Sequence, residues 1–205
     1  GSEVELYNMA LYFSSLEDFQ VDFLVGDYGQ KPFEKHRSIG LYKLKYMRPQ
    51  ATPNPIHKLL KILFLIKALL LMPSDIFITK TAGELLGWMV LVTKWLRGKK
   101  VVFRLGSDMD TNLDYWKERS KRLYWLYRLG LFHCDQILCQ SDAQQAQLYR
   151  SCKLIARVIR NVFHLSPVHT HVKDYVLWVS RCMALKRPLL FLDLARRTPS
   201  EKFVM

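Results

Sequence analysis

The chain has 205 residues, with 31 Lys and Arg against 18 Asp and Glu, a formal net charge of +13 at pH 7. Hydrophobic residues make up 50% of it. That excludes a disordered polypeptide and allows one or two domains that bury about 70% of the unfolded surface. The charge excludes indifference to polyanions: nucleic acid, anionic lipid or a phosphorylated substrate is the expected partner.

Residues 3–16 predict a helix, with Val4, Leu6, Tyr7, Met9, Ala10, Phe13 and Leu16 as its apolar positions. The run QVDFLV at 20–25 predicts a strand ended by Gly26. Residues 26–38 form a polar loop with Gly29 and Pro32, and 39–44 a second strand. Residues 45–55 carry Pro49, Pro53 and Pro55 and predict a stiff connector, since proline removes a helix donor. Residues 56–72 are the most apolar stretch, interrupted by Lys61 and Lys67 and stopped by Pro73. They are too short and too charged for a transmembrane helix. Two readings stay open: a core helix of an α/β layer, or a basic amphipathic helix on an anionic membrane, to which Lys58 would add.

DIFIT at 75–79 predicts a strand, and 82–96 a helix with Trp88 and Trp95, closed by Gly98. Residues 101–105 are a buried strand built on VVF. At its carboxyl end come Arg104, Gly106, Ser107, Asp108 and Asp110. Ligands of open α/β sheets bind beyond the carboxyl ends of parallel strands, so this turn is the expected place of a site. The alternative is a polar connection in which Ser107, Asp108, Asp110 or Thr111 caps the next helix. Residues 112–132 predict one long helix, where Lys117, Arg119, Lys121, Arg122 and Arg128 interleave with Tyr and Trp. That pattern suits nucleic acid or a membrane interface, or a core stripe with a solvated basic face.

DQILC at 135–139 predicts a strand, Ser141 or Asp142 caps a helix to 149, and 156–159 form a short strand. Residues 160–174 are irregular. Their His164, His169 and His171 lack the rigid spacing that zinc requires. YVLWV at 175–179 is a strand, 185–197 a helix with Pro188 in its first turn, and 202–205 a strand. Alternating strands and helices predict an α/β fold, a doubly wound parallel sheet. Four cysteines without a CxxC pair, and no secretory signal peptide, predict a reduced, cytoplasmic setting.

Walker A, GxGxxG, GxSxG and HExxH motifs are absent from the sequence. Charged residues gather at strand ends instead: Lys80, Arg104 to Asp110, Ser141-Asp142, and Arg181 to Lys186. Arg181 and Lys186 bracket a strand-to-helix turn. Helix amides and two cations there form a diphosphate clamp, unless both side chains are simply solvated.

The segment YVLWVSRCMALKRPLLFLDLARRTP resembles the start of the carboxy-terminal domain of family 4 glycosyltransferases of the GT-B fold. Earlier pieces follow the same order. Gly1-Ser2-Glu3 is similar to the second half of the Gly-Gly-x-Glu loop that opens the first helix. DIFIT, KKVVFRLGSD and ILCQSDAQQAQL resemble the later strand–helix units, and RVIRNV the segment before the interdomain linker. The resemblance implies a Rossmann-like acceptor-side domain over 1–165, a linker over 166–174, and the start of a nucleotide-sugar-binding domain over 175–205.

It further implies retaining transfer of a hexosyl group from a nucleotide-diphosphate sugar to a cell-envelope, lipid-linked or polysaccharide acceptor, with no metal or other cofactor. Arg181 and Lys186 match the donor-diphosphate residues, and Gly1 and Ser2 the loop whose backbone approaches the donor. The loop 104–108 matches the place of an active-site His. None stands there, so the catalytic part passes to Arg104 or Asp108. Ser180 replaces the usual Gly, and Arg160-Asn161-Val162 lacks the usual Pro and Gly. Lys58, Lys61, Lys67, Lys117, Arg119 and Arg122 are the expected acceptor- or membrane-facing cations, for a peripheral location on the inner face of the cell membrane. The family's first strand and its Glu-x7-Glu segment are missing from the sequence, so this polypeptide alone is expected to be inactive. The alternatives are a non-enzymatic nucleic-acid-binding protein, the less favoured partner, and a membrane-surface adaptor that lost the chemistry.

Overall fold

The computed structural model describes residues 2–47, 54–161, 174–180, 182 and 184–205. Within it the chain divides into two units, Gly1–Phe163 and His164–Met205. The first opens with helix α1 (Ser2–Ser14), then β1 (Val21–Val25), β2 (Phe33–His36) and β3 (Ile39–Lys43). These strands form one sheet in the order β1-β3-β2, with β1 parallel and β2 antiparallel to β3. The polar stretch 26–38 is therefore not all loop. It folds a hairpin back onto β3 around Arg37, whose φ of 54° lies in the left-handed region. Such turns favour Asn-Gly, and Arg37-Ser38 gave no local signal of one.

Helix α2 (Pro55–Leu71) starts at Asn54, whose side chain accepts from Ile56 N at 3.0 Å, with Pro55 at the first helical position. β4 (Ile76–Thr79) follows. Then comes α3 (Glu84–Met89), which runs directly into a π-helical segment, Val90–Leu96. Gly98, at φ 66°, lets the chain turn out of it into β5 (Lys100–Arg104). A 3-10 turn (Asp108–Thr111) leads to α4 (Leu113–Arg119) and α5 (Lys121–His133). β6 (Gln136–Cys139), α6 (Asp142–Cys152) and β7 (Arg157–Val158) complete the unit.

β4, β5, β6 and β7 form a second sheet in that order, and every pairing in it is parallel. Helices cover both sides, an α/β architecture compatible with a Rossmann-like fold. The core lies where Val101, Phe103, Leu86, Val90, Tyr127 and Leu148 meet, all fully buried. Residues 112–132 are not one helix. Ser120 is extended, at φ −172° and ψ 133°, and separates α4 from α5. The break lets Trp116 fold inward against Tyr127, with ring centroids 4.8 Å apart. α5 then crosses α3 where Gly87 and Gly130 bring the two backbones together.

The second unit holds β8 (Val176–Leu177), a 3-10 turn (Ala184–Lys186), α7 (Pro188–Arg197) and β9 (Phe203–Val204), with β8 parallel to β9. Phe191 packs between Trp178 and Phe203, while Leu189 and Leu190 are exposed. The connector prolines 49 and 53, the histidines 164, 169 and 171, and the linker 166–174 up to Asp174 lie outside the described residues.

Candidate functional site at the carboxyl ends of the parallel strands

Because β4 to β7 run the same way, the loops leaving them lie side by side on one edge of the sheet. Glu5, from the first turn of α1, reaches into this edge and is buried. One of its oxygens accepts from Lys80 Nζ, just past β4. The other accepts from Arg104 Nε at 2.6 Å, at the end of β5. A single carboxylate thus sits between two buried cations, leaving one positive charge in surplus. Arg104 Nη2 also donates to the Ile159 carbonyl (3.0 Å) and Asn161 Oδ1 (2.7 Å). Its Nη1 is buried with no partner among the described residues.

Hydrogen bonds continue from there along the sheet edge. Asn161 Nδ2 donates to Gln140 Oε1 (2.9 Å), and Gln140 Nε2 to the Leu105 carbonyl (2.5 Å). Gln144 Oε1 accepts from Gln140 N, and its Nε2 donates to Asp108 Oδ1, both at 2.9 Å. Gln144 is in place because Ser141 caps α6, its Oγ accepting from Gln144 N at 3.2 Å. Asp108, exposed, is the outer end of a continuous polar path that begins at Glu5.

The turn between β5 and α4 is held from below by Asp110. Its Oδ2 accepts from Gly106 N (2.7 Å) and Ser107 N (2.9 Å). Burial raises the Asp110 carboxyl above its ordinary value, against the lowering effect of these bonds. Tyr127 donates its hydroxyl to the Asp110 carbonyl (2.6 Å), and burial raises its own pKa, so it stays a neutral donor. Lys80 O lies 3.2 Å from where a Cβ on Gly106 would be, so the β4 and β5 loops meet at a glycine. Ser107 and Asp110 close the 3-10 turn and do not cap the next helix: Asn112 caps α4, its Oδ1 accepting from Asp114 N at 3.0 Å and Tyr115 N at 3.4 Å, and Asp108 is left as an exposed carboxylate.

Arg104 and Asp108 are linked through this network, but they stand differently. Arg104 is 1% exposed and engaged by Glu5, Asn161 and a carbonyl. It positions the loops from within. Asp108 alone of the two faces outward. Gly1 and Arg181 lie outside the described residues, and Ser2 begins α1. Lys186 is exposed in the second unit, beside an open groove of about 670 Å³ that Trp178, Arg187 and Arg197 also line. Lys58 and Lys67 are exposed on α2 and Lys61 is partly so; Lys117 and Arg119 are exposed on α4. Arg119 lies over the Tyr115 ring at 5.4 Å, and Arg122, on α5, is paired with Glu84.

Sequence reasoning missed Glu5, Gln140, Gln144 and Asn161. The one local signal was Gln140 and Gln144 flanking the Ser141 cap, four residues apart at a strand end. Among the described residues, no three of His, Cys, Asp and Glu gather as a metal site, and no helix is long and apolar enough to cross a membrane. No family model matches the chain, and a search of curated proteins finds no match.

Proposed function

We propose that the chain is the acceptor-side domain, with the first piece of the donor domain, of a retaining GT-B glycosyltransferase. The supporting observation is the polar path at the carboxyl ends of β4 to β7, ending at exposed Asp108. This is where an open α/β sheet presents its ligands. In this reading Asp108 orients the acceptor hydroxyl. Arg104, clamped by Glu5, keeps the β5 turn in place for it. Arg181 and Lys186 stabilise the departing nucleoside diphosphate, an electrostatic role exercised where charge develops. The bond from the anomeric carbon to the diphosphate oxygen breaks, the acceptor oxygen bonds to that carbon on the same face, and the acceptor's proton passes to the departing diphosphate oxygen.

The test is nucleotide protection. UDP or GDP should raise the melting temperature of the chain, and Lys186→Ala should weaken that rise, because Lys186 would lose its contact with diphosphate. No shift with either nucleotide, together with steeply salt-dependent binding of generic duplex DNA, would replace this reading with the nucleic-acid one.

A further inference from the structure

Three helical segments packed side by side in the first unit contain no acidic residue. They are α2, the π-helical segment and α5, of 17, 7 and 13 residues. Between them they carry Lys58, Lys61, Lys67, Lys94, Lys121, Arg122 and Arg128. Lys94 pairs with Asp135 and Arg122 with Glu84; the other five carry no ion pair among the described residues.

The same segments leave large apolar side chains in water. On α2, Ile56, Leu59, Leu63 and Leu70 recur at helical spacing on the side opposite the buried Leu65 and Leu69. Lys67 lies inside that stripe. At the end of α2, Leu71 is 69% exposed, and at the end of the π segment Leu96 is 73% exposed. Arg97 fastens these two ends together, donating to the Leu69 carbonyl (2.5 Å) and the Met72 carbonyl (2.6 Å). Trp95 extends the surface to α5, its ring 5.3 Å from that of His133. There Arg128 lies over Trp125 and Phe132, beside a shallow hollow of about 360 Å³. Exposed apolar surface on this scale marks an interaction site.

We infer that this face docks on an anionic lipid bilayer. Leucines and tryptophans beside unpaired cations match the boundary between acyl chains and charged headgroups. A second copy of the chain would set the unpaired Lys67, Lys121 and Arg128 of one face against the same three cations of the other. A nucleic acid would use the cations but leave the leucines in water. The face includes Lys67 and Arg122 of the expected membrane-facing set; Lys58 and Lys61 lie on the side of α2 that carries the buried Leu65 and Leu69, and Lys117 and Arg119 belong to α4. It stands independently of the sugar chemistry, since vesicle binding and nucleotide protection are separate measurements.

The test is co-sedimentation with vesicles of phosphatidylglycerol and phosphatidylcholine, against vesicles of phosphatidylcholine alone. The chain should bind the first and not the second. Leu71→Glu with Leu96→Glu should lower the partition coefficient about tenfold or more, as two apolar side chains leave the interface. Both sites are exposed, so far-UV circular dichroism should stay unchanged. Lys117→Gln with Arg119→Gln changes the net charge by the same amount and should lower binding far less. Equal losses in the two variants would reduce the effect to bulk charge and overturn the inference. So would no binding to the anionic vesicles, or a dimer that the leucine variant abolishes.

Discussion

Replacing Gly130 by Ala should destabilise the first unit, although alanine is the better helix former. A Cβ at Gly130 would lie 2.6 Å from Leu86 Cγ, 2.7 Å from the Leu86 carbonyl carbon and 2.8 Å from Gly87 N. Two of those three atoms are backbone and cannot swing away. Carbon atoms in contact sit about 3.5–4.0 Å apart, so α5 and α3 must separate by about 1 Å. Leu86, Met89, Tyr127 and Leu131 are buried around this crossing and lose contact together when it opens. Overpacking of this kind costs about 1–3 kcal/mol, and a clash against backbone belongs at the upper end. Helix propensity returns about 1 kcal/mol. The net expectation is a loss of about 2 kcal/mol. With a urea m-value of about 2 kcal/mol per molar, the midpoint falls by about 1 M. Equilibrium urea unfolding, followed by far-UV circular dichroism, measures it. Gly87→Ala, whose Cβ would meet the Leu126 carbonyl, should act through the same opening. The double variant should then cost less than the sum of the two. A Gly130→Ala protein as stable as the parent, or more stable, would refute the close crossing of α3 and α5.

Glu5→Gln should cost about 3–5 kcal/mol in the same assay, because it leaves Lys80 and Arg104 buried without their counter-charge. Asp110→Asn keeps an oxygen for Gly106 N and Ser107 N but removes the titration. The carboxyl is raised above 3.8 in the folded chain, so the folded state holds its proton longer than the unfolded state does. The parent should therefore lose stability relative to the variant as pH rises from 3.8 through the folded pKa. Parallel stability–pH curves for the two proteins would contradict this. Burial pushes the Cys134 thiol up to about 12 and the Cys139 thiol to about 11, and Cys152 is buried. Exposed Cys182 should thus be the only one of the four to react rapidly with a thiol reagent before unfolding, with all four reacting afterwards.

Much of the fold was legible because its signals are local. The cap at Ser141, the stop at Gly98 and the apolar runs of β4, β5 and β6 each act within a turn or a strand, whereas Pro55, expected to close the connector, opens α2 behind the Asn54 cap. Strand–helix alternation then implied parallel pairing, and β4 to β7 pair that way. The turn after β5 was picked out by its chemistry, and exposed Asp108 stands there.

What stayed hidden depends on distant partners. β2 is a strand only because β3 offers it a hydrogen-bonding edge. The α4–α5 break exists because Trp116 must turn inward to reach Tyr127. Glu5 finds Lys80 and Arg104 across 75 and 99 residues, and that meeting holds Arg104 in the interior. In α2 Leu65 and Leu69 are buried, as a core helix requires, while Ile56, Leu59 and Leu63 face water. Lys58 and Lys61 fall on one side of this helix and Lys67 on the other, so no polar side orients it, and only the surfaces packed against it decide which leucines are covered.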